Sequence, residues 1–127
     1  MLYVLNEDGS TRRTEDLREW GEAFESASRV ISLDVNRRYT ISTVFLGLDH
    51  GHAGTPLLFE TMVFLKRSDS SLGDEWTCKR YPTIEAARAG HELLRRRWRW
   101  YYWCLPAVVA WERLRRVTQR VLHALRG

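Results

Sequence analysis

From Ile41 to Leu65 the chain reads ISTVFLGLDHGHAGTPLLFETMVFL, two apolar runs separated by a polar, glycine-bearing loop. Ile41 to Leu48 puts Ile41, Thr43, Phe45 and Gly47 on one face and Ser42, Val44, Leu46 and Leu48 on the other. Leu57 to Leu65 is likewise apolar on both faces. Strands of that kind belong in the middle of a sheet, because each face must be kept from water. The chain is therefore expected to be built around this pair, with the remaining elements packed on it.

The flanking segments fit that plan. Leu2 to Leu5 is a short strand ended by the turn residues Asn6 to Gly9. Thr14 has the chemistry of an N-cap, with Glu15 and Asp16 behind it and Leu17, Trp20 and Phe24 at helical spacing. Arg29 to Val35 alternates and feeds a turn at Asn36-Arg37-Arg38. After a polar loop from Lys66 to Glu75, Trp76 to Tyr81 makes a fourth strand of the meander. Pro82-Thr83 opens a second helix with the stripe Ile84, Ala87, His91, Leu94 and Trp98. Pro106 breaks or kinks any helix that reaches it, and Ala110, Leu114, Val117, Val121 and Leu125 recur as a further amphipathic helix. The expected fold class is α+β: an antiparallel sheet of four or five strands, two helices on one face, and an additional C-terminal amphipathic helix.

At 127 residues the chain can bury a core without staples. Cys78 and Cys104 form no CxxC pair and no leader-like segment opens the sequence, which points to a reducing cytoplasm. The net charge of +4 conceals a division. Residues 1–94 hold 11 Lys/Arg against 15 Asp/Glu, whereas residues 95–127 hold nine Arg against Glu112 alone. Two parts are expected on this basis: an α+β body, residues 1–97, and a Trp/Arg-rich helical extension, residues 98–127, packed on the body or on a partner subunit.

The phrase ISTVFLGLDHGHAGTPLLFETMVF, followed by RYPTIEAARAGHE at residues 80–92, resembles a family of small uncharacterised proteins encoded by tailed bacteriophages and prophages. The resemblance covers roughly residues 1–95 and stops before the tail. It carries no activity. It implies an accessory gene product in a host bacterial cell, of the kind that includes inhibitors of host defence.

Three groups of residues could carry chemistry. Asp49, His50 and His52 are carboxylate and imidazole ligands for zinc or a related divalent metal, within one loop. A divalent metal is the one cofactor the sequence suggests; otherwise none is expected. Glu60 and His91 are polar residues in apolar company, and a buried carboxylate is costly unless paired. They are expected to form a buried pair, or else Glu60 lines a cleft or lies exposed. Arg95, Arg96, Arg97, Trp98, Arg99, Trp100 and Trp103 interleave cations with rings, as in a nucleic-acid-binding or membrane-surface segment. No nucleophile elbow, phosphate loop or HExxH motif is present. The expected function is therefore non-enzymatic binding of a host protein or complex, with a homodimer as a further partner. The alternatives are a small metal-dependent hydrolase using the Asp49–His52 loop, and a nucleic-acid or membrane binder acting through the tail.

Overall fold

The computed structural model describes residues 1–49, 54–67, 69 and 71–124. The chain divides into two compact units, Met1–Arg95 and Arg96–Gly127. Among the described residues, six strands and two α-helices follow in order: β1 (Leu2–Leu5), β2 (Thr11–Thr14), α1 (Leu17–Glu25), β3 (Val30–Val35), β4 (Tyr39–Phe45), β5 (Phe59–Lys66), β6 (Leu72–Tyr81) and α2 (Ile84–Ala124). The fold is α+β, as the hydrophobic patterning implies.

β3 to β6 form a four-stranded antiparallel meander in sequence order, with the two apolar strands β4 and β5 in its centre. Its register sorts side chains into two faces. On one, Asp34, Ile41, Val63 and Thr77 make a row across the sheet, followed by the row Ser32, Thr43, Thr61 and Lys79, then by Phe45, Phe59 and Tyr81. The first turns of α2 cover this face, so that Ile84 and Ala87 share a buried cluster with Phe45, Leu58 and Phe59. The other face carries the rows Val35–Thr40–Phe64–Glu75, Leu33–Ser42–Met62–Cys78 and Val30–Val44–Glu60–Arg80.

β1 and β2 pair as a separate hairpin that the sequence reading saw only in part. TRRT lacks any apolar side chain to announce a strand. Thr14 consequently ends β2 rather than capping α1, and the cap is Asp16, whose carboxylate accepts from the backbone N–H groups of Arg18 and Glu19. α1 packs on this hairpin, and Trp20 donates its indole N–H to the Gly47 carbonyl at 2.9 Å. The Gly47 backbone, at φ +68°, approaches so closely that a Cβ would lie 2.7 Å from the Trp20 indole nitrogen. Glycine is required there both by conformation and by space.

Two boundaries differ from expectation. β6 begins at Leu72 rather than Trp76, because ladder pairing with β5 organises a polar segment that has no apolar periodicity. The second and third helices are one element of 41 residues running through Pro106. A proline removes one backbone donor, and the turns on either side here retain helical geometry.

Candidate functional site

The helix-covered face holds a chain of polar side chains in an otherwise apolar interior. His91 is 5% exposed, and Thr43 and Thr61 are fully buried. The Nε2 atom of His91 lies 2.7 Å from Asp34 Oδ2, its Nδ1 lies 2.7 Å from Thr43 Oγ1, and Thr43 Oγ1 lies 2.6 Å from Thr61 Oγ1. One assignment satisfies every atom with a neutral imidazole. Thr61 donates to Thr43, Thr43 donates to Nδ1, and the Nε2 proton goes to the Asp34 carboxylate, which only accepts. No buried side-chain nitrogen or oxygen among the described residues lacks a partner.

Tyr81 closes the arrangement from β6. Burial pushes its phenol up from the ordinary value, while a hydrogen bond with Thr61 acts in the opposite sense. The ring lies on the α2 backbone at Gly90, where a Cβ would stand 2.1 Å from the phenolic oxygen. Thr83 then starts the helix by accepting from the Ala86 N–H at 3.2 Å. The motif residues thus converge on one joint between sheet and helix, in which Gly90 admits Tyr81 and His91 bridges two strands.

Asp34, His91 and Thr43 have the connectivity of an acid, a base and a hydroxyl nucleophile. Their setting is different, because the Thr43 hydroxyl is sealed between sheet and helix and is already hydrogen-bonded on both sides. The arrangement holds α2 to β3, β4 and β5. A hydroxyl that no substrate can reach is not a nucleophile.

Glu60 lies on the opposite face, and the expected pair with His91 does not form. Strand alternation is the reason: the helix covers Phe59, Thr61 and Val63, which turns Glu60 away from it. Glu60 is 5% exposed and accepts from Arg80 Nε at 2.7 Å and from Cys78 Sγ at 3.2 Å. Desolvation of the thiol, reinforced by the neighbouring carboxylate, pushes Cys78 up to about 11. Cys78 is exposed as a residue and stays a thiol near neutrality, which makes it a poor nucleophile.

The remaining expected residues separate as follows. Asp49 is half-buried, while His50 and His52 lie outside the described residues. Among the described residues, no group of three or more His, Cys, Asp or Glu is placed to hold a metal ion. Arg95 makes two bonds to Glu92, Nε at 2.7 Å and Nη2 at 2.8 Å. Arg96, Arg97 and Arg99 are exposed, Trp98 is buried and Trp100 is exposed. Trp103 belongs to α2, but its side chain lies outside the described set.

Open clefts flank the start of α2, two of them lined by described residues. The larger, about 420 Å³, is lined by Leu5, Glu7, Asp8, Ile31 and Arg88 among others, and the smaller is about 270 Å³. No helix among the described residues is long and apolar enough to cross a membrane.

Sequence reasoning missed Asp34, Thr43, Thr61, Tyr81 and Gly90. The available signal was a pair of threonines inside apolar strands and a glycine directly before the buried histidine. Compared with known proteins, the chain matches no family profile, no curated protein and no solved structure.

Proposed function

We propose that the protein acts by binding a protein of the host cell through the open face of its sheet, and that it is a phage or prophage accessory protein of the kind that inhibits a host defence system. The observation that carries the binding reading is the composition of that face. Val30, Leu33 and Val35 are 45%, 56% and 61% exposed on β3, beside half-buried Val44, Met62 and Phe64. The solvent face of an antiparallel sheet is ordinarily polar, and contiguous exposed apolar surface marks an interaction site. The Glu60–Arg80 pair at its margin adds polar groups that orient a partner. Catalysis is the weaker reading, since Glu60 and His91 are each committed to other partners and the buried hydroxyls are inaccessible. The phage assignment rests on the motif resemblance.

The test compares wild type with the double variant Leu33→Glu/Val35→Glu, both expressed in a bacterial host and purified under mild conditions. The reading expects a host protein to co-purify in stoichiometric amount with wild type and to be lost with a variant that keeps its unfolding midpoint. Co-purification unchanged by the variant, or light scattering showing that the face joins two copies of this chain and nothing else, would overturn it.

A further inference from the structure

The Arg96–Gly127 unit is unlike the rest of the chain in both charge and exposure. It contains eight arginines and a single acid, Glu112, a net charge of +7. It is helical through Ala124, and beyond the buried Trp98 the large apolar side chains that the structure describes are exposed. Trp100 is 66% exposed, Trp111 67%, Leu114 62% and Val117 58%. Ala107 and Ala110 are exposed as well. Trp100, Ala107, Trp111 and Leu114 fall on one side of a regular helix, and positions 113, 116 and 120 fall on the other.

We propose that this helical segment binds the surface of an anionic lipid membrane, lying in the headgroup region with Trp100 to Trp111 against the acyl boundary. Three observations select that occupant. The first is charge, because a unit of +7 is drawn to an anionic surface and repelled by a second copy of itself. The second is the run from Trp100 to Trp111, twelve residues with no charged side chain on any face of the helix. A partner helix covers one stripe, whereas a fluid boundary accommodates a segment apolar all round, and at 1.5 Å per residue the run is about 18 Å long. The third is the order of residues, in which tryptophans stand at both rims of the run and arginines lie outside them, as in interfacial segments. A run of this length falls short of the roughly 20 residues that spanning needs. Nucleic acid suits the pattern less well, since a polyphosphate favours cations along the whole contact rather than a gap in its middle.

The experiment uses the full-length protein in flotation assays with vesicles of phosphatidylcholine alone and of phosphatidylcholine mixed with phosphatidylglycerol. The protein should float with the mixed vesicles only, and added salt should weaken the association. Trp111→Glu/Leu114→Glu should abolish flotation. Arg113→Gln/Arg116→Gln/Arg120→Gln should lower affinity by about fivefold per arginine, on the order of a hundredfold in total. The arginine variant keeps every apolar side chain, so it reports on lipid binding even where the glutamate variant alters the helix. Failure to float with the mixed vesicles overturns the proposal. So does flotation indifferent to both variants, preferential binding to DNA, or a dimer that Leu114→Glu dissociates in a protein that ignores lipid. Leu33→Glu/Val35→Glu should float like wild type, which keeps this result separate from the sheet-face reading.

Discussion

The two faces of the β3–β6 sheet use polar residues in opposite ways. On the helix side, hydroxyls and an imidazole sit deep in the interior and are satisfied entirely by one another and by Asp34. On the open side, a single buried carboxylate is satisfied by Arg80, whose side chain is 39% exposed. Both arrangements end on a partly exposed partner, since the Asp34 side chain is 43% exposed. They differ in depth, the first running inward through the fully buried Thr43 and Thr61 and the second stopping at one guanidinium that water reaches. Removing a partner should therefore be expensive on the covered face and mild on the open one.

The sharpest test is Gly90→Ala. Helix propensity alone would reward the change by up to about 1 kcal/mol, but the new methyl would meet the Tyr81 ring, whose Cζ is 2.3 Å from the Cβ position. Displacing a packed aromatic ring costs about 3 kcal/mol, so the substitution should destabilise despite its propensity. Denaturant unfolding of the full chain measures it, and a stabilised variant would mean that the helix does not rest on Tyr81.

A smaller effect is expected from Glu60→Gln. The amide can still accept from Arg80, and the guanidinium reaches water, so the loss should be about 1 kcal/mol. A loss as large as that of Gly90→Ala would show the open face to be a closed interior and would erase the distinction between the faces.

The smallest effect concerns Cys78. Its thiol is raised from the ordinary 9.0 to about 11, so the unfolded chain releases this proton at lower pH than the folded one. The resulting contribution is present below pH 9 and is lost as pH rises towards 11. Partial exposure keeps the stability change small. The rate of iodoacetamide modification should rise with a midpoint near pH 11 in the native protein. In Glu60→Gln the midpoint should move down yet stay above that of an ordinary thiol, because the desolvation remains. A native midpoint near 9.0 would detach Cys78 from the Glu60 site.

The central strands could be read from sequence because both of their faces are apolar, and that same property concealed which face the helix would cover. Glu60 and His91 were recognisable as polar residues in apolar company. Their partners were not, since pairing depends on whether residue 60 or residue 61 looks towards α2, and a one-residue change of parity reverses the answer. Asp34 gave no signal because an acid on an alternating edge strand is what solvent exposure also produces. β2 and the first half of β6 were hidden for a related reason. Their side chains are polar, and ladder hydrogen bonds rather than buried area hold them in place. The continuity of α2 through Pro106 was not legible because a proline signals a missing donor without saying whether the turns around it persist.

The spacing of the His91 contacts also bears on how the chain acquires its structure. Each strand of the meander pairs with the next one in sequence, so the sheet can grow by short loop closures. His91 reaches Thr43 across 48 residues and Asp34 across 57, after every strand has been passed. Contacts that distant have the greatest closure entropy and are natural candidates to form after the folding barrier. Loosening the joint at His91 should then shorten the lifetime of the native state while leaving the rate of its formation nearly unchanged.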